Sequence, residues 1–282
     1  ACLWYFRAEA WWLAWAGFWF PPVALASVLA LEFALAAVVN RADPAPRAGV
    51  RNWFIAWSRE LWTALKVFGW WMPFGQRTVP DFLPVAVTGQ TGVVFVHGFF
   101  CNRGIWTPWL KILRKEGRAF SAINLEPVLG SIDHYASQVD VAVSRVTAAT
   151  GRPPVVICHS MGGLAVRAWL RSAGPAADQR ILRVITLGTP NSGTLLARFV
   201  RVANGRQMRH RGAWVRQLEA GEPAHRFTRF TCWYSNCDNV VFPASTATLA
   251  GADNRLASGL AHVELALDPE VMRCCLEGIR AS

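Results

Sequence analysis

Ser160 lies in Val155-Val156-Ile157-Cys158-His159-Ser160-Met161-Gly162-Gly163, where a β-branched run gives way to a small residue, a serine and a glycine pair. An apolar run at helical spacing follows (Leu164, Ala165, Val166, Ala168, Trp169, Leu170). A strand that turns sharply into a helix presents a serine at its apex as a nucleophile. The turn needs small residues two before and two after the serine, because the strand and helix backbones run close together. Gly162 meets that need, and Cys158 stands where glycine is usual. A serine hydroxyl attacks only when a base takes its proton, and the base needs an acid to orient it. His262, late in the chain, is the candidate base. Asp238, just past an apolar run, is the candidate acid, with Asp253 as runner-up. His97-Gly98-Phe99-Phe100 follows another apolar strand. There the backbone N–H of Phe99, with that of Met161, is placed to stabilise an oxyanion. His97, Gly98 and Phe100 are expected to shape the substrate side of that loop.

These residues need elements to position them. Residues 93–96 read as a buried strand, 104–116 as a helix, 119–125 as a strand and 131–150 as a long helix. The strand before Ser160 and its helix follow, then strands at 184–187 and 230–235 and a closing helix. Strands alternating with helices predict a doubly wound, mostly parallel sheet. Gly188-Thr189-Pro190-Asn191 falls at the carboxyl end of one strand, where such sheets place their ligands. The segment 194–226 mixes Arg198, Arg201, Arg206, Arg209, Arg211 and Arg216 with apolar residues, as a lid over the site or a solvated face would. His159 is expected to pack away from the serine. No histidine, cysteine or carboxylate spacing suggests a metal site, and no cofactor is called for.

The first 84 residues are of another kind. Across 282 residues, hydrophobic side chains make up 53% and charged ones 17%, and most of the 15 tryptophans lie at or before Trp71. Residues 10–31 carry no charge, enough to cross a bilayer core, which takes about 20 apolar residues. Pro21-Pro22 leaves two arrangements open, one kinked span or a hairpin with a second span to Val39. Glu32 is then a carboxylate expected to face protein rather than lipid. Arg41, Arg47 and Arg51 follow and, by the positive-inside rule, put what comes next on the cytoplasmic side. Residues 52–75 form a loosely amphipathic helix, with Glu60 off its apolar face, lying on a membrane or packed on the catalytic domain. The division expected is a membrane-associated helical region, 1–84, and a catalytic domain, 85–282. The net charge of +11 suits anionic lipid better than nucleic acid, because the arginines are dispersed and form no binding motif. Cys232 and Cys237 are expected to be reduced rather than bridged. The chain opens on Ala1 with no methionine, so a processed or partial N-terminus is expected.

Taken together, the His97-Gly98-Phe99-Phe100 turn, His159-Ser160-Met161-Gly162-Gly163, Leu187-Gly188-Thr189-Pro190 and the Asp238 and His262 tail resemble bacterial α/β-hydrolases of the triacylglycerol lipase and esterase group. The membrane-anchored, permease-like members are the most similar. The sequence departs from them at Cys158 and at Asn191, where such lipases often have histidine at the site rim. The resemblance implies an α/β-hydrolase fold and cleavage of lipophilic acyl esters at an inner membrane by Ser160, His262 and Asp238. Acyl transfer or thioester cleavage on the same fold, and a non-catalytic membrane scaffold, are the alternatives.

Overall fold

The computed structural model describes residues 11–84 and 89–281; the first ten residues and the expected boundary at 85 lie outside them. Two helices come first. α1 (Trp11–Val39) runs through Pro21 and Pro22 as a single helix, not a hairpin. α2 (Val50–Lys66) continues as a π-helical stretch to Gly75. Six strands follow, β1 (Val93–Val96), β2 (Phe120–Ile123), β3 (Val155–His159), β4 (Arg183–Leu187), β5 (Phe230–Tyr234) and β6 (Asp253–Leu256). Between and after them lie α3 (Thr107–Lys115), α4 (Ala136–Thr150), α5 (Met161–Ser172), α6 (Ala203–Gln207), α7 (Ala213–Ala220), α8 (His262–Leu265) and α9 (Pro269–Arg280).

The strands pair in the order β2-β1-β3-β4-β5-β6, and every neighbouring pair is parallel. Side chains alternate across a strand. Val93, Phe95, Val155, Ile157 and Ile185 therefore meet α3 and α9 on one face. Val94, Val96, Val156, Cys158 and Val184 meet α4 and α5 on the other. This is the doubly wound α/β-hydrolase architecture expected. The chain leaves β1 for β2 and then returns past β1 to β3, so the order reverses between β1 and β3. Ligands of open α/β sheets bind at such a switch point, beyond the carboxyl ends of the strands. The turns carrying Phe99 and Ser160 flank it.

The N-terminal helices dock on the same end of the sheet. α1 buries Leu29, Phe33 and Ala36, one stripe at helical spacing, and α2 buries Ala56, Glu60 and Ala64. Leu29, Phe33 and Ala56 share a small core with Cys237 and Ala261, from the loops around Asp238 and His262. Polar contacts stitch the joint: Asn40 Oδ1 accepts from Ala244 N at 3.0 Å, and Asp43 Oδ2 accepts from the Ser245 hydroxyl at 2.6 Å. Asn236 Nδ2 donates to Pro46 O at 2.9 Å, and Trp57 Nε1 ties α2 to Ala26 O of α1 at 3.1 Å. Of the two settings expected for α2, packing on the sheet domain holds for one face. The other leaves Phe54, Trp62, Trp70 and Phe74 exposed. Glu60 does not lie off the inner face as its sequence position suggested; it is only 1% exposed. All six described cysteines are free, and Cys232 and Cys237 belong to separate core clusters.

The segment after β4 is held by a buried ion pair. Arg167 of α5 meets Glu222 through NH2 at 2.6 Å, and neither side chain reaches solvent. Its NH1 donates to Asn191 O at 2.6 Å, so Asn191 is buried beneath the loop rather than on a rim. Removing one partner of a buried pair leaves an uncompensated charge, at a cost of about 3–5 kcal/mol. Glu222→Ala should lower the thermal unfolding midpoint by several degrees, whereas Glu270→Ala, on the exposed face of α9, should leave it in place.

Candidate active site

Ser160 joins β3 to α5 at φ 54°, ψ −129°, a conformation unfavourable for any residue but glycine. The turn persists because neighbouring backbone crowds it. A Cβ on Gly98 would lie 2.7 Å from Ser160 Cβ, and one on Gly162 would lie 2.4 Å from Val96 O. Ser160 N donates to Leu187 O at 2.9 Å, and the Thr189 hydroxyl donates to Ser160 O at 2.9 Å. Cys158 needs no such accommodation. It sits in register between Val96 and Thr186, with its side chain in the core under α5. Burial pushes its thiol well above the usual range, so it is an inert packing residue.

His262 opens α8, and its Nδ1 lies 2.9 Å from Asp238 Oδ2. The other carboxylate oxygen, Oδ1, accepts from Val240 N at 2.8 Å and Val241 N at 2.7 Å. Asp238 is thus held on both sides, and an ionised Asp238 puts the imidazole proton on Nδ1 and leaves Nε2 as the basic nitrogen. Gly188, at φ +60°, makes room: a Cβ there would stand 3.2 Å from both Asp238 Oδ2 and His262 Nδ1. Burial works to lower the imidazole pKa. The charge and hydrogen bond of Asp238, helped by Glu60 and Glu32, outweigh it and raise the pKa above the ordinary 6.5. Asp253, the alternative acid, opens β6 at the surface and pairs with Arg255 at 2.7 Å.

Three residues stand nearer His262 than the sequence reading placed them. His159 packs, but onto His262 itself: the rings lie 4.7 Å apart, and His159 Nε2 is 3.1 Å from His262 O. Burial, with His262 adding to it, pulls its pKa well below 6.5 and keeps it neutral. Glu60 accepts from Val263 N at 2.8 Å and Glu264 N at 3.0 Å, at the head of the helix that His262 opens. Burial drives its carboxyl up to about 7, tempered by those two bonds. Glu32 faces protein, as expected of it, and accepts from Asn239 Nδ2 at 2.8 Å. Asn239 Oδ1 in turn accepts from His262 N at 3.2 Å. The signal for Glu60 was its spacing, four residues from each of Ala56 and Ala64 on the side of α2 that packs closest.

A cleft of about 440 Å³ brings Ser160, His159, His262 and Phe99 together with Glu32 and Glu60. Met161 is the first residue of α5, so the helix leaves its N–H without an internal partner. The other residues of the 97–100 turn expected on the substrate side stand as follows. His97 is committed internally, with Nδ1 2.8 Å from Gly98 O and Nε2 accepting from Leu125 N at 2.9 Å. Burial lowers its pKa to about 4, which keeps the ring neutral. Phe100 turns outward, 57% exposed. Neither lines the cleft. Gly98 serves by lacking a side chain.

A family model described as the alpha/beta hydrolase family matches residues 93–273. No curated protein matches the sequence. Among solved structures, a Bacillus licheniformis lipase in its mature form is similar with a TM-score of 0.60 at 16% identity, over 71% of this chain and 95% of that one. Aspergillus fumigatus lipase B gives 0.59 at 17% identity, over 68% of this chain and 53% of the fungal enzyme, about half its length. A bromoperoxidase from Bacillus anthracis gives 0.52 at 11% identity, over 69% of this chain and 93% of that one. Identities this low speak for a common fold, and that fold hosts more than one chemistry. The family match covers well over half of the sequence, from the first strand into the last helix, and the chain belongs to the alpha/beta hydrolase family.

Proposed function

We propose that the protein is a serine hydrolase that cleaves lipophilic carboxylic esters at a membrane through an acyl-enzyme. The observation that carries the reading is the strained Ser160 turn opening into the same cleft as His262, whose Nδ1 is held by Asp238. Ser160 Oγ attacks the ester carbonyl while His262 Nε2 takes its proton, and Asp238 stabilises the imidazolium that forms. The N–H groups of Phe99 and Met161 stabilise the oxyanion, a contribution of roughly 2.7–4 kcal/mol per donor in comparable sites. The alcohol leaves with the proton from His262, and water activated by the same imidazole releases the acid. The segment 194–226 acts as a lid: Leu196, Phe199 and Val200 line the cleft from that side. α1 is apolar apart from Glu32 and largely exposed, and it serves as the anchor. Arg41, Arg47 and Arg51 behind it favour the cytoplasmic face of an inner membrane.

Two measurements test this. Wild-type protein in membranes should be labelled by a fluorophosphonate and should hydrolyse p-nitrophenyl butyrate. Ser160→Ala should abolish both; label persisting on the variant would remove Ser160 as the nucleophile. The second is a pH profile. The base must be neutral to act, so activity falls as pH drops through the raised His262 pKa, and the acid limb should centre above 6.5. Glu60→Gln removes a negative charge that favours the imidazolium, so that limb should shift to lower pH. A limb that stays put would exclude Glu60 from the electrostatics of the base.

A further inference from the structure

The cleft at Ser160 is not closed by the hydrolase body alone. One wall is Leu25, Val28 and Leu29 of α1, together with Ala64 of α2 and Phe68 just beyond it. Val28 lines the cleft and is also 56% exposed, so the cleft reaches the outer surface along α1. The polar groups on this side are held by the body: both Glu60 oxygens are bonded at α8, and Glu32 is held by Asn239. What remains of the wall is hydrocarbon.

Helix geometry sets the depth of that wall. The charge-free part of α1, residues 11–31, makes about 32 Å of helix at ~1.5 Å per residue, and the hydrocarbon core of a bilayer is about 30 Å thick. Glu32, the first charge after the run, is turned into the cleft. Leu25, Val28 and Leu29 therefore fall inside the stretch that a spanning α1 holds at hydrocarbon depth. The surroundings agree. Trp62 and Phe54 on the outer side of α2 and Phe199 on the opposite lip of the cleft are exposed, an apolar rim that water would leave uncovered.

We infer that the acyl chain of the substrate lies along the wall made by α1 and α2 and enters sideways from the bilayer past Val28. The N-terminal helix is then part of the acyl-binding site as well as a tether. The inference rests on the serine-ester reading and on α1 as a span, and it deepens them by naming the substrate class. The substrate is a long-chain acyl ester already dissolved in the membrane, presented from within the hydrocarbon layer and not from water.

The test uses the full chain in phosphatidylethanolamine–phosphatidylglycerol vesicles and a long-chain alkyl fluorophosphonate with a diazirine near the end of the chain. Ser160 Oγ forms a bond to phosphorus, fluoride leaves, and the serine proton passes to His262. Photolysis then marks what the chain touches. Label on Ser160 with cross-links in residues 25–29 or 64–68 is the expected result. Label on Ser160 with cross-links confined to 194–208 would overturn the acyl-site inference and leave the hydrolase reading standing. An unlabelled Ser160 would bring down both. A kinetic arm follows the same wall: Val28→Trp should lower the ratio of p-nitrophenyl palmitate to p-nitrophenyl butyrate turnover by about tenfold or more, the scale on which a filled apolar pocket discriminates. An unchanged ratio would also refute the inference.

Discussion

The Ser160 turn exists because three pieces of backbone approach more closely than side chains allow. Gly98 closes over the serine, Gly162 lies against the end of β1, and a Cβ on Gly163 would lie 2.3 Å from Thr189 Oγ1. The unfavourable φ at Ser160 is maintained by this crowding, which the parallel ladder between β1, β3 and β4 fixes in register. Without it the hydroxyl would have no reason to stand at the apex. The His97 ring contributes to the same closeness, clamping its own loop to Leu125.

A second constraint is electrostatic. Taking an imidazole and its carboxylate out of water is costly unless each is held by good partners. Asp238 has two backbone N–H groups on the oxygen that His262 does not use. Further negative charge stands behind His262 on helices far away in sequence, Glu60 of α2 and Glu32 of α1. Glu60 itself is held short of full ionisation near neutral pH by its burial. His262 therefore sits among acidic groups whose charge depends on how firmly the N-terminal helices are docked.

Much of this was legible in the sequence, because it is local or ordered along the chain. The β-branched run before Ser160 and the glycines after it announce a strand, a turn and a helix. Alternating elements announce a parallel sheet, and Asp238 and His262 follow strands in the expected order. What escaped depends on docking. Nothing within α2 shows that Glu60 points at the backbone of α8, because that contact joins residues 203 positions apart. The positions of the His97 and Phe100 side chains, one bonded internally and one turned outward, were hidden for a related reason. A motif names residues, whereas the fold decides which of their atoms are already committed. His159 shows the same limit: its neighbour in the chain was visible, and its neighbour in space, His262, was not.

The joint between α1, α2 and the His262 loop also orders events in time. During synthesis the apolar first helix leaves the ribosome well before the residues it finally touches, and domains form as their sequence becomes available. Asn236, Asn239 and Val263, which receive the N-terminal helices, follow their partners by 190, 207 and 203 positions. The loop that carries His262 reaches its final setting only by folding back onto helices made long before it. The cleft at Ser160, walled in part by α1 and α2, is thus finished only when the chain closes on its own N-terminal helices, and no shorter nascent chain carries it whole.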